Sequence, residues 1–123
     1  DYSHAINLQP ELLEAYHYRG IVRYGMKDLD GALADYNKAI SLGLKSSAIY
    51  FNRGVIFHQK GQLSDAIESY SRSIEIDPSN ARAYYNRAIS KLIVDNYKEA
   101  LQDLEISKRL GYSKAAEVIA QYY

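Results

Sequence analysis

Side chains that can contact a ligand recur along this chain at intervals of 34 residues. Asn52 and Asn86 form one pair at this interval, and Arg19, Arg53 and Arg87 form a row at the same interval. An amide can donate and accept hydrogen bonds toward a peptide backbone, whereas a guanidinium presents a planar fork of donors that fits a carboxylate or a phosphate. The residue types therefore indicate binding chemistry, and the interval indicates that repeated structural elements position them.

Residues for catalysis or metal binding do not form a recognisable pattern in the sequence. His4, His17 and His58 lack the spacing of metal ligands on one helix, and there is no cysteine. The glycines stand singly and do not form a phosphate-binding loop, and no serine stands in a nucleophile elbow. We therefore expect no enzyme activity, no catalytic residue, no metal site and no cofactor.

Charge and hydropathy narrow the class of partner. Lys and Arg total 15, Asp and Glu total 15, and the formal net charge is zero. Binding to nucleic acid or to an anionic membrane depends on a clustered basic excess, and no apolar run is long enough to cross a bilayer. We therefore expect a protein or peptide partner, no nucleic acid and no membrane contact.

The apolar spacing within each interval predicts two amphipathic helices and no strand. In residues 47–80, apolar side chains recur every three or four residues in two blocks, which places them on one face of each helix. Gly61 separates the blocks and suits the left-handed residue that ends a helix. Pro78 cannot continue the second helix, and Ser79 or Asn80 can cap the next one.

Small residues predict where the two helices of a unit approach most closely. A recurring small side chain among Tyr, Leu and Ile is expected at the point where two helix axes come nearest. These positions are Gly20, Gly54 and Ala88 in the first helices and Ala32, Ala66 and Ala100 in the second helices.

The interval also divides the chain into units. Residues 1–12 correspond to the second-helix remnant of a preceding unit, residues 13–46, 47–80 and 81–114 to three full units, and residues 115–123 to the start of a further or capping helix. The chain thus begins partway through a unit, and we expect it to be part of a longer array.

This unit resembles the tetratricopeptide repeat along essentially the whole chain. In residues 47–80 the motif positions are occupied by Tyr50, Gly54, Gly61, Leu63, Ala66, Ile67, Tyr70, Ile74, Asp77 and Pro78. The departures are Leu44 and Tyr112 at a usual Pro, Ser73 and Ser107 at a usual Ala, and Arg23 and Lys91 at an aromatic position. The resemblance implies an all-α fold, a right-handed α-solenoid of helix-turn-helix repeats in which the first helices line a concave groove and the second helices form the convex back.

Repeats of this family typically bind a peptide of a partner protein, so the resemblance implies a scaffold or adaptor module. Carried over position by position, it places these residues in the peptide-binding groove: His17, Tyr18, Ile21, Tyr24, Phe51, Asn52, Val55, His58, Arg82, Tyr85, Asn86 and Ile89. Gln59 falls on the same face. An exposed apolar strip commonly marks a protein-binding site, and packing between neighbouring units is the alternative for several of these side chains.

Two known groove chemistries can be compared with these residues. Asn52 and Asn86 are similar to two rungs of the asparagine ladder in the repeats of O-linked N-acetylglucosamine transferase, and a bridge between neighbouring helices is the alternative. Asn52 and Arg82 also match two positions of the carboxylate clamp of chaperone-binding tetratricopeptide domains. His17, Ile21 and Asn86 stand where that clamp has a Lys, an Asn and a further basic residue, and anion binding needs convergent positive charge. The clamp is therefore disfavoured.

Acidic residues favour a structural role for the arginine row. Asp1, Asp35 and Asp103 occupy one position of the second helix, with Ser69 at that position in the middle unit. We expect this position to lie beside the arginines, so ion pairs between helices explain the row better than phosphate or RNA binding.

A structural spacer or self-association module is the alternative function. An incomplete terminal unit exposes apolar surface through which arrays can stack end to end. Sedimentation at several concentrations separates this alternative from a groove binder, which stays monomeric.

Overall fold

Seven α-helices make up the chain in the computed structural model, which describes the backbone of residues 2–123 and the side chains from residue 12 onward. In chain order they are α1 (Tyr2–Gly25), α2 (Leu29–Ser41), α3 (Ser47–Gln59), α4 (Leu63–Ile76), α5 (Ala81–Ile93), α6 (Tyr97–Arg109) and α7 (Ser113–Tyr122). No strand occurs in this range, so the all-α prediction is confirmed. None of these helices is both long and apolar enough to cross a membrane.

The helices pack in consecutive pairs. Helix α1 packs against α2, α3 against α4, and α5 against α6, while α7 packs on α6. Contacts of α2 with α3 and of α4 with α5 join the pairs, and the first helices α3 and α5 also touch. Each pair thus contacts only its neighbours, which is the arrangement of a solenoid, and the predicted α-solenoid is confirmed.

The division into units is not settled by the helix boundaries. Helix α1 runs from Tyr2 to Gly25 without a break and crosses the predicted boundary between residues 12 and 13. The boundaries at residues 12, 46, 80 and 114 stay predictions. Asp1 and the side chain of His4 lie outside the described residues.

A left-handed residue ends the first helix of each pair. Gly61 has φ of 78°, as predicted, and Lys27 and Asp95 hold the equivalent positions with φ of 66° and 64°. Each lies in a short turn that leads into the second helix of its pair. Asn80 caps α5, since its side-chain oxygen accepts a hydrogen bond from the backbone N–H of Ala83 at 3.2 Å.

The predicted close contact within each pair is present, and tyrosine rings fill it. A Cβ atom placed on Gly20 would lie 3.3 Å from the carbonyl oxygen of Ala32 and only 2.5 Å from Cε1 of Tyr36. On Gly54 it would lie 2.6 Å from Cε1 of Tyr70. In the third pair the corresponding contact is made by Ala88, which is fully buried in a cluster with Ala100 and Leu104.

The arginine row pairs with the second helices, as predicted. Arg19 donates two hydrogen bonds to the Asp35 carboxylate, at 2.9 and 2.7 Å. Arg87 donates two to Asp103, at 2.8 and 2.7 Å. Both aspartates are nearly inaccessible to solvent. In the middle pair, Nε of Arg53 donates instead to the hydroxyl of Ser69, at 3.0 Å.

The departures from the family pattern also have structural partners. Arg23 lies 3.4 Å from Asp35, and Lys91 lies 2.9 Å from Asp103, so each buried aspartate has two cations. The Ser107 hydroxyl donates to the carbonyl of Ala81 at 2.8 Å. Basic side chains therefore replace the aromatic residue in the two pairs that contain a buried aspartate.

Candidate functional site

Two adjoining depressions lie along the first helices of the three pairs, and we call them together the groove. The N-terminal depression, of about 340 Å³, is lined by Ile21, Tyr24, Tyr36, Phe51, Asn52, Val55 and Arg82. The C-terminal depression, of about 240 Å³, is lined by Val55, His58, Gln59, Tyr70, Tyr85, Asn86 and Ile89. Val55 belongs to both, so the two depressions are continuous across α3.

The structure brings together all the sequence-predicted site residues except His17 and Tyr18. Helix α1 contributes Ile21 and Tyr24, α3 contributes Phe51, Asn52, Val55 and His58, and α5 contributes Arg82, Tyr85, Asn86 and Ile89. These positions face one side because a helical period within each helix is combined with a fixed interval between helices. Whether they bind a peptide stays a prediction.

His17 and Tyr18 lie beside the groove without lining either depression. Their rings stack with centroids 5.9 Å apart, and the His17 ring also meets Tyr36 edge to face at 5.9 Å. Burial lowers the pKa of His17, an effect that the nearby Glu14 carboxylate partly opposes. The Nε2 atom is buried without a hydrogen-bond partner in the described part of the chain. His17 is therefore a packed, neutral side chain at neutral pH.

Sequence reasoning missed two residues of the groove, because it assigned the second helices to the convex back. Tyr36 of α2 lines the N-terminal depression, and Tyr70 of α4 lines the C-terminal one. Each ring reaches the groove by passing the glycine of its own pair, Gly20 or Gly54. The coincidence of a repeated Tyr in the second helix with a repeated Gly in the first was the signal available in the sequence.

Asn52 and Asn86 each meet a tyrosine of the preceding pair. Burial raises the pKa of Tyr36 to about 12; the nearby Tyr24 adds to the rise, and a hydrogen bond with Asn52 opposes it. Burial likewise raises the pKa of Tyr70 to about 12, against a hydrogen bond with Asn86. The amides thus bridge neighbouring pairs, which was the structural alternative for them. A primary amide has an oxygen and two N–H groups, so one such bond leaves capacity for a ligand.

The groove carries little charge. Among its described lining residues, Arg82 has the single permanent charge, and its guanidinium lies over the Phe51 ring, 5.3 Å from the centroid. Nδ1 of His58 lies 3.2 Å from the hydroxyl of Ser90. Across the rim, Nε2 of Gln59 donates to the Tyr24 hydroxyl at 2.6 Å, which joins α3 to α1. The site is therefore an aromatic and aliphatic trough with a few amide and hydroxyl groups.

Metal ligands do not cluster in this trough. Over the part of the chain whose side chains are described, no group of three or more His, Cys, Asp or Glu residues is placed to hold a metal ion.

Comparison with known proteins places this groove in a known fold. Residues 56–91, from the end of α3 through α4 and most of α5, match the family model described as TPR repeat. A search of curated protein sequences found no significant match.

Several solved structures have the same arrangement of helices. The TPR domain of OM64 from Arabidopsis is similar with a TM-score of 0.84 and 23% identity, covering 94% of this chain and 99% of that one. The first TPR domain of Spaghetti (RPAP3), solved bound to the HSP90 peptide SRMEEVD, has a TM-score of 0.78 and 16% identity, covering 89% and 94%. MamA has a TM-score of 0.78 and 24% identity, covering 85% and 61%. The chain therefore carries a tetratricopeptide repeat at residues 56–91 and has the fold of tetratricopeptide repeat domains over its described length.

Proposed function

We propose that this chain is a protein-interaction module that binds a peptide segment of a partner in the groove. The observation that supports this most strongly is the continuity of the two depressions through Val55, with side chains from three successive pairs. Binding sites are commonly concave and largely apolar, with a few polar groups that fix orientation. The groove has this composition, since amides and hydroxyls punctuate its aromatic lining.

A structural neighbour makes the proposal concrete. The first TPR domain of Spaghetti (RPAP3) was solved with an HSP90 peptide bound, so a chain with this fold can hold a peptide. The proposed module acts by binding alone and needs no catalytic residue, metal or cofactor. The same groove chemistry favours a polypeptide over a nucleic acid, because phosphate binding draws on many cations and the lining residues include one permanent cation.

The test is selection from a phage-displayed library of random peptides, comparing the unmodified chain with Val55→Lys. A lysine at the junction of the depressions places a charge where apolar ligand atoms would be buried, so enrichment should be lost. Ile76→Lys is the matched control, because Ile76 is an exposed apolar residue at the end of α4 outside both depressions. If Val55→Lys selects the same clones as the unmodified chain, the groove is not the binding site.

End-to-end self-association is a second candidate, favoured by one patch of surface. Tyr97, Leu110, Tyr122 and Tyr123 are large side chains exposed near the C-terminal end of the solenoid. The Tyr123 hydroxyl donates to the carbonyl of Tyr97 at 2.6 Å, so part of this patch is one contiguous surface. Sedimentation velocity at rising protein concentration should show oligomers that Tyr122→Ser reduces if this surface mediates association, and a constant monomer if it does not.

A further inference from the structure

The shortage of positive charge in the groove restricts what can bind there. A free terminal carboxylate next to acidic side chains is held well only by several convergent cations. Arg82 is the single permanent cation among the described lining residues, and its guanidinium already lies over Phe51. A peptide that depends on its terminal carboxylate would therefore find one partner at one edge of the N-terminal depression.

Neighbouring ionisable side chains do not supply the missing charge. The His17 ring is packed between Tyr18 and Tyr36, and its Nε2 atom is buried without a partner in the described residues. Burial lowers the pKa of His17, despite the opposing effect of Glu14, so the neutral imidazole is favoured. Tyr36 and Tyr70 also stay neutral at physiological pH, because burial raises the pKa of each to about 12.

The two depressions repeat the same set of groups one helix pair apart. The N-terminal depression has Asn52 beside Tyr36, and the C-terminal depression has Asn86 beside Tyr70. Adjacent packed helices have axes about 8 to 10 Å apart. A polyproline II segment rises about 3.1 Å per residue with three residues per turn, so side chains three positions apart project from the same face about 9 Å apart. This spacing matches one step of the groove.

The amides distinguish an extended ligand from a helical one. An α-helix has already used its backbone groups internally and offers none to Asn52 or Asn86. A polyproline II segment has no internal hydrogen bonds, so its carbonyl groups stay free to accept from the amides. Aromatic-lined grooves are also the surfaces on which such segments dock in other folds.

We propose that the groove binds an internal polyproline II segment of a partner, with apolar or proline side chains three residues apart in the two depressions and main-chain carbonyls on Asn52 and Asn86. This inference rests on the proposed function and specifies its ligand. The free C-terminus of the partner takes no part in recognition.

Two matched libraries test the ligand class. One displays random peptides with the C-terminus fused to the carrier, and the other displays them with a free C-terminus. We expect the fused library to enrich peptides with apolar or proline residues at i and i+3, and this enrichment to be lost with Val55→Lys. Resynthesised as amides and as free acids, the selected peptides should bind equally well.

Substitutions within a selected peptide test the conformation without altering the protein. Proline at the positions between the two apolar residues should keep or raise affinity, because it fixes φ near the polyproline II value. Replacing the contacted amide by an ester weakens one carbonyl acceptor and should reduce affinity by about three- to tenfold, the range for one hydrogen bond. Asn86→Ala should give a similar loss in the protein.

Three outcomes would overturn the inference. Enrichment restricted to the free-C-terminus library, with acidic terminal residues, would leave groove binding intact and refute the ligand class. Loss of binding on proline substitution would indicate a helical ligand and would also refute it. If neither library yields clones that depend on Val55, the proposed function fails and the inference fails with it.

Discussion

Two buried tyrosines depend on the absence of a side chain at the glycine opposite each ring. Gly54 lies against Tyr70, and Gly20 lies against Tyr36, while the third pair combines Ala88 with Leu104 at the same two positions. The larger ring thus occurs with the smaller partner, as expected where the packing volume is shared.

We expect Gly54→Ala to destabilise the chain by about 1 to 3 kcal/mol through overpacking, since the new Cβ would lie 2.6 Å from Cε1 of Tyr70. Adding Tyr70→Leu should recover part of the loss, because the double variant reproduces the arrangement of Ala88 with Leu104. Urea denaturation of the two single variants and the double variant measures the coupling. Additive effects would show that the ring and the glycine do not share this space.

The same tyrosines predict a dependence of stability on alkaline pH. The pKa of Tyr70 is raised to about 12 in the folded chain by burial, with a hydrogen bond from Asn86 acting against the rise. The unfolded phenol ionises near pH 10. The folded chain therefore holds the proton more tightly, so the stabilisation is complete below pH 10 and is lost as the pH rises through about 12.

Urea midpoints between pH 9 and 12 should fall less steeply for Tyr70→Phe than for the unmodified chain, since Phe has no proton to lose. The matched control is Tyr18→Phe, which removes a phenol that is 62% exposed. Identical pH profiles for Tyr70→Phe and the unmodified chain would contradict the assignment.

Among the helices and turns, the tight turn within each pair accepts residues that are not ideal for it. Lys27, Gly61 and Asp95 all have positive φ at the same point of their units. A left-handed conformation is unfavourable for residues with a Cβ atom, and glycine adopts it without steric cost. The surrounding helices therefore impose the turn on Lys27 and Asp95.

We expect Lys27→Gly to stabilise the chain by about 0.5 to 1 kcal/mol by relieving this strain. Lys38→Gly is the control, because Lys38 lies within α2, where glycine costs about 1 kcal/mol. Thermal denaturation should shift the two midpoints in opposite directions. A lower midpoint for Lys27→Gly would show that Lys27 stabilises the turn by other contacts.

Across the whole molecule, the arginine row joins each pair to the one before it. Arg53 donates to Asn37 of α2 at 3.1 Å, and Arg87 donates to Ser71 of α4 at 3.0 Å. Each arginine thus contacts residues 16 positions before it and 16 positions after it. The rings of Tyr50 and Tyr84 lie within 6 Å of these guanidiniums and complete the contact.

The consequence differs between pairs, because only some have a buried carboxylate. Asp103→Ala would leave Arg87 and Lys91, with side chains 18% and 12% exposed, without their carboxylate. We expect a loss of about 3 to 5 kcal/mol, the cost of uncompensated buried charge. Ser69→Ala should cost only about 1 kcal/mol, since Arg53 also contacts Asn37 and Glu68. Equal losses in urea denaturation would refute this difference between the pairs.

The sequence by itself determined the repeating elements and the side on which most candidate groove residues lie. Phe51, Asn52, Tyr85 and Asn86 could be placed together because the interval of 34 residues and the helical period are both legible in one chain. The left-handed turn at Gly61 could be predicted for the same reason, since its backbone requirement is local.

Only the tertiary structure decided which second-helix side chains enter the groove and how its polar groups are shared. Tyr36 and Tyr70 reach it past Gly20 and Gly54, and Asn52 and Asn86 each bond to a tyrosine of another pair. These contacts depend on how closely two helix axes approach and on the rotamers that fit between them. Both are properties of packed neighbours, and the spacing of residues along one helix does not specify them.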